Sequence, residues 1–310
     1  MIRAAAVVVA LSASAAAEDL AGHEVCTAAW RQVSAQLASS VQIGGIISNI
    51  EDGWCVVENP VIDMAGQYVP DWHADRLRFR GSALNWVVDR TTAPERLELA
   101  VDGLRLVVQT GQPQFDWLYA AQAKANKTEV EVVLTWDPGA RALHLETANF
   151  DFPGANRIEL TALATGVDLS SSGAMQMSIT SFALTRVDLQ VQTHGLFEGY
   201  ALMSAGPLLL PSEGDMDAAA KDLRAEITAG LADLPQTTFD AKSKAALAAL
   251  IAELPNPKGV LSLSLSADPG FGPARLSGYA IKGVPDRLAD AAALFDGVVV
   301  NIGWTHEDAP

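Results

Sequence analysis

The chain has 310 residues with 37 acidic and 21 basic side chains, a formal charge of −16 that excludes general nucleic-acid binding unless the few cations cluster. At 49% hydrophobic and 19% charged it has enough apolar surface for a packed core and is not an intrinsically disordered chain. Its length admits one large domain or two fused sub-domains.

The N-terminus reads as a secretory leader over residues 1–17. Arg3 supplies the cationic start, Ala4 to Leu11 the apolar stretch, and Ala15-Ala16-Ala17 the small residues of a cleavage site. That stretch is too short for a spanning helix, and no later segment is long and apolar enough to be one. The expected product is exported to the periplasm or secreted, with no transmembrane span in the mature chain. An oxidising compartment favours pairing of the two cysteines, Cys26 and Cys55.

Beyond the leader, residues 18–212 read as an N-terminal helix followed by a sheet region. Val25, Ala29, Val33 and Leu37 recur at four-residue steps, which predicts an amphipathic helix from Glu24 to Ser39 with Cys26 in its first turn. From Gly53 to about Leu210 the dominant period is two. Arg76 to Arg80 and Arg96 to Val101 alternate cleanly. Asp102-Gly103 fits either a hairpin turn or a bulge inside one long strand, because the apolar parity shifts there from odd to even. Thr128 to Trp136 places Val130, Val132, Leu134 and Trp136 on one face, and Asp137-Pro138-Gly139 turns the chain into a strand from Arg141 to Glu146. A further run, Ile179 to Gln192, separates Val187, Leu189 and Val191 from Arg186, Asp188, Gln190 and Gln192. One wet face and one dry face mark antiparallel strands.

Residues 213–310 change character. Asp215 to Leu234 carries an apolar stripe behind an N-cap aspartate, Phe239 to Leu254 carries a second, and together they predict a helical hairpin. Leu261, Leu263 and Leu265 then alternate with Ser262, Ser264 and Ser266. Asp268-Pro269-Gly270 reads as a turn into Ala274 to Ile281, Pro285 as the start of one further helix, and Val298 to Trp304 as a closing strand. The fold class is therefore α+β: a large antiparallel twisted β-sheet with an N-terminal helix, a C-terminal helical hairpin and a further helix, the last region packed on the same sheet.

Val187-Asp188-Leu189 leading to His194-Gly195-Leu196-Phe197, and the hairpin followed by Leu254-Pro255-Asn256-Pro257-Lys258-Gly259 and a leucine-serine strand, resemble AsmA-like bacterial envelope proteins over residues 95 to 305. The resemblance implies a long twisted sheet in a bacterial envelope whose apolar face contacts lipid acyl chains. The chain departs from that pattern in being short and in having a cleavable leader instead of a membrane anchor.

Candidate site residues are few. Asp71, His73 and Asp75 would share a face of a strand and could hold a divalent cation, although Asp75 adjoins a run of arginines that could pair with it. Arg76, Arg78 and Arg80 form the densest positive patch, suited to an anion or an acidic partner, or else to the solvated, edge-protecting side of a strand. Ser204 lacks the first glycine of a nucleophile elbow, and Gly270-Phe271-Gly272 lacks the following helix that a phosphate cradle requires. No cofactor is implied. The expected function is a non-enzymatic exported protein that binds lipid, another apolar ligand or an envelope partner on one sheet face. The alternatives are a hydrolase or metal-dependent enzyme with a dispersed site, and a structural or adhesive module.

Overall fold

A computed structural model describes residues 22–37, 41–51, 53–64, 69–82, 84, 95–202, 206, 209–275 and 294–307. The α+β class with a large antiparallel sheet, an N-terminal helix and a C-terminal hairpin is what the structure has, with eleven antiparallel strands among the described residues. The expected leader lies outside the described residues, as do residues 276–281 of the strand expected from Ala274 and residues 285–293 of the expected further helix; Ala274 and Arg275, at the expected start of that strand, are helical. No helix among the described residues is long and apolar enough to cross a membrane.

The chain divides into two compact units, the first Met1–Pro153 with Thr165–Phe182, the second Gly154–Ala164 with Ala183–Pro310. Residues 154–164 and 183–212 thus group with the helical hairpin.

Unit 1 contains helix α1 (Gly22–Leu37) and strands β1 (Gln42–Glu51), β2 (Trp54–Asp63), β3 (Asp71–His73), β4 (Arg76–Gly81), β5 (Arg96–Val107), β6 (Thr128–Asp137) and β7 (Ala142–Phe152). β3 and β4 lie end to end in the lane between β2 and β5. Val25, Cys26 and Ala29 are the buried side of α1. The expected disulfide is present: Cys26 in α1 bonds Cys55 in β2, with 5.4 Å between Cα atoms. It fixes α1 over the end of the sheet where Cys55, Val56 and Val57 are fully buried. Trp136, also buried, donates from Nε1 to the Val167 carbonyl at 3.1 Å, which satisfies its one polar atom.

Helical segments interrupt the period-two reading of Gly53 to Leu210. Pro113–Ala125 is a helix (α2) between β5 and β6, and Ser172–Ser181 is a helix (α3) that takes Ile179 and Thr180 out of the expected strand. Ser171 caps α3 by accepting from the Ala174 amide at 3.2 Å. Asp102-Gly103 is a bulge, not a hairpin: β5 runs unbroken, and its register against β6 shifts between Val101 and Leu104.

Unit 2 has strands β8 (Asn156–Thr165, the last residue falling in unit 1), β9 (Ala183–His194), β10 (Lys258–Phe271) and β11 (Val298–His306) in that order, with helices α4 (Met216–Gly230) and α5 (Ala241–Glu253). β10 continues through Asp268-Pro269-Gly270 instead of turning there. Asp215 and Asp240 cap the two helices. Leu263 stands between Leu189 and Ile302, and Leu265 between Val187 and Val300. Ala246 and Leu247 of α5 pack on that apolar face together with Phe239.

β11 is the last strand, and its outer edge is occupied over Val300 to Ile302. The Val300 amide donates to the Thr238 carbonyl at 2.8 Å. Ser243 Oγ accepts from the Ile302 amide at 3.0 Å and donates to the Val300 carbonyl at 3.3 Å. Both Thr238 and Ser243 are fully buried, so no water replaces these bonds.

Ser243→Ala leaves the Ile302 amide unpaired and is expected to cost about 1–3 kcal/mol in urea unfolding; an unchanged midpoint contradicts this account of the edge. Reducing the disulfide frees a loop of 29 residues' separation, and a loss of about 3–4 kcal/mol is expected in the chain-entropy picture, read as a lower urea midpoint with reductant.

Candidate functional site

The strand registers sort the paired side chains of β2 to β7 onto two faces. One face carries cross-strand rows of apolar groups: Cys55, Phe79, Leu99, Val132 and Ala148 in one row, and Val57, Leu77, Val101, Val130 and Phe150 in the next. The opposite face carries the arginine ladder. It is paired internally: Arg76 with Glu58 at 3.3 Å, Arg78 with Asp102 at 3.0 Å, Arg80 with Glu98 at 2.6 Å. Arg96 reaches both Glu98 and Glu146. The guanidinium of Arg80 lies 4.4 Å from the Trp54 ring centroid, a cation–π contact. Hydrogen bonds from Arg80 and Arg96 hold the Glu98 carboxyl below its ordinary range. β4 has neighbours on both sides, so the ladder protects no edge, and an anion gripping it would have to displace carboxylates already in place.

Asp71, His73 and Asp75 do not converge. Asp71 and His73 sit two residues apart on β3, but the β3–β4 junction at Ala74-Asp75 breaks the alternation before Asp75. Asp71 is buried and accepts from the Met64 amide and from Gln109 Nε2, both at 3.0 Å. Asp75 accepts from Arg105 at 2.7 Å and from Lys127 Nζ. Its carboxyl is held low by the Lys127 bond first, with Arg105 adding to it. Burial, and then the charge of Arg105, push the His73 imidazole below its ordinary pKa despite Asp71 nearby. No group of three or more His, Cys, Asp or Glu side chains among the described residues is placed to hold a metal ion.

What sequence reading missed is the apolar end of the same sheet. Ile43, Ile62, Trp72 and Leu106 form one cross-strand row over β1, β2, β3 and β5. Ile62 is exposed, Trp72 is 40% exposed and Leu106 45%. Helix α2 packs against β5 through a narrow contact in which only Ala123 is buried, and it exposes Phe115, Leu118 and Tyr119, with Trp117 at 69%. Asp116 anchors its first turn by accepting from the Thr110 amide and hydroxyl at 2.6 and 2.7 Å, bonds that lower its pKa. The signal was present in the sequence: Gln112-Pro113 opens a thirteen-residue stretch without a β-branched residue and rich in alanine. The apolar residues lie all round the helix, so no one-sided stripe announces it.

No protein-family model matches the chain, and no curated protein does.

Because the folded pKa of Asp75 is depressed, its ion pairs stabilise the fold above the unfolded-state value and are lost as the pH falls through the folded value. Asp75 is partly exposed, so Asp75→Asn is expected to cost up to about 1 kcal/mol at neutral pH. That difference should shrink on acidification, and thermal melts at several pH values check it; a constant difference refutes the assignment.

Proposed function

We propose that this is an exported, non-enzymatic protein of a bacterial envelope that binds lipid acyl chains on the apolar face of unit 1's sheet. The row Ile62, Trp72 and Leu106 carries the reading. Large apolar side chains aligned across three strands and left in water are the feature that marks a binding surface on a folded protein. Full burial of such a side chain stabilises a complex by about 1.5–3 kcal/mol. The exposed aromatic residues of α2 extend the apolar surface available in the same unit, and Trp and Tyr suit a boundary with one apolar and one wet side.

Export to the periplasm is supported by the leader pattern at residues 1–17 and by the Cys26–Cys55 disulfide. The AsmA-like resemblance points to the same ligand class by analogy of fold and compartment. The arginine ladder belongs to the structural side of the sheet in this reading, because its charges are met within the unit.

The test uses the full chain exported with its own leader and a fluorescent long-chain fatty-acid analogue. Saturable binding is expected, and Trp72→Ser combined with Leu106→Ser should weaken it by about tenfold or more with an unchanged melting temperature. Absence of binding by the unaltered protein, or equal binding by the double variant, refutes the proposal.

A further inference from the structure

The polar face of unit 2 is built differently from the polar face of unit 1. Ser262 stands between Gln190 and Gly303, and Ser264 between Asp188 and Asn301, giving two adjacent cross-strand rows of hydroxyl, amide and carboxylate groups over β9, β10 and β11. These residues line a groove of about 550 Å³. Glu159 and Thr161 of β8 complete it on one side, and Asp240 and Lys242 at the start of α5 on the other. In unit 1 the arginines of the polar face are paired with carboxylates, Arg76 with Glu58, Arg78 with Asp102 and Arg80 with Glu98. Here the side chains of Thr161, Asp188, Gln190 and Ser262 make no hydrogen bond or ion pair to the rest of the protein among the described residues.

The groove's chemistry selects its ligand. Leu189, Leu263 and Ile302 also border the groove, but their parity turns their side chains to the opposite face of the sheet, and the two rows carry no large apolar or aromatic side chain for an acyl chain or an aromatic ring to pack on. Glu159, Asp188 and Asp240 outnumber Lys242, and Glu159 is already paired with Arg157 at 2.8 Å, so the field disfavours an anion. An extended peptide would need a free strand edge, but Thr238 and Ser243 already occupy the edge of β11 beside the groove. Four strands at about 4.8 Å spacing span about 14 Å, the length of a short oligosaccharide. We infer that this groove binds an uncharged glycan chain, whose hydroxyls exchange hydrogen bonds with Asp188, Gln190, Ser262, Ser264 and Asn301. The inference is independent of the lipid reading, since it uses other residues and another unit.

The experiment is an amide-resolved NMR titration of the full mature chain with maltotetraose and with N-acetyl-chitotetraose, and with tetragalacturonic acid as the anionic counterpart. At least one neutral tetrasaccharide should shift the signals of Gln190, Ser262, Ser264 and Asn301. Asp188→Ala and Asn301→Ala should each weaken that binding about tenfold, the effect of one hydrogen bond to a charged or amide group. Both sites are exposed, so the melting temperature should stay unchanged, and Trp72→Ser should leave glycan binding intact. The inference is overturned if neither neutral tetrasaccharide shifts these signals, if the combined Asp188 and Asn301 variant binds as well as the original, or if the anionic tetrasaccharide binds equally.

Discussion

The apolar face of unit 1 stays on one side because three neighbouring lanes change parity at the same level. On β2 the apolar-face residues pass from Cys55 and Val57 to Ile62, across Asn59 with its φ of 47°. In the next lane they pass from Trp72 to Leu77 and Phe79, across Ala74-Asp75, and on β5 from Leu99 and Val101 to Leu104 and Leu106, across Asp102-Gly103. Backbone bonds stitch the irregularities together: Asn59 donates to the Asp75 carbonyl, Ala74 to that of Pro60, and Asp75 to that of Asp102, all at 2.9 to 3.0 Å. A one-residue slip in a single lane would turn its leucines to the wrong side.

Gly103 is the tightest point of that line. Its φ of +69° is the left-handed conformation, and a Cβ there would meet the carboxylate of Asp75. The space it leaves lets Asp75 lie between Arg105 and Lys127, while the Gly103 amide donates to Glu129 at 3.1 Å. The charges once suggestive of a metal site are thus the clamp of a bulge. On one side of this line α1 and its disulfide cover the sheet; on the other the Ile62, Trp72 and Leu106 row is exposed.

Unit 2 solves the same problem of a one-sided sheet by other means. Its leucine and valine rows meet α5 and Phe239, and its terminal strand is closed by buried hydroxyl and carbonyl groups. At the far end of α5, Glu253 accepts from Trp304 Nε1 at 2.8 Å and meets His306 at 3.0 Å, so the helix is fastened to β11 at both ends. With the apolar face and this edge taken, the polar face is what unit 2 leaves open.

The sequence by itself determined the class of fold, because side-chain alternation and helical stripes are local: the Leu261 to Ser266 strand, the Asp215 and Asp240 caps and the α1 stripe are each legible within a few residues. It also indicated the cysteine pair, since in a chain with two cysteines each has one intramolecular partner. It left Asp102-Gly103 open and hid α2 and α3. A bulge and a hairpin differ only in which distant strand comes next, and a helix apolar on all sides has no stripe to read. Only the tertiary structure decided that Arg76, Arg78 and Arg80 face carboxylates, that Asp75 leaves Asp71 and His73, and that Trp72 meets Leu106, because each of these depends on register between strands far apart in the chain.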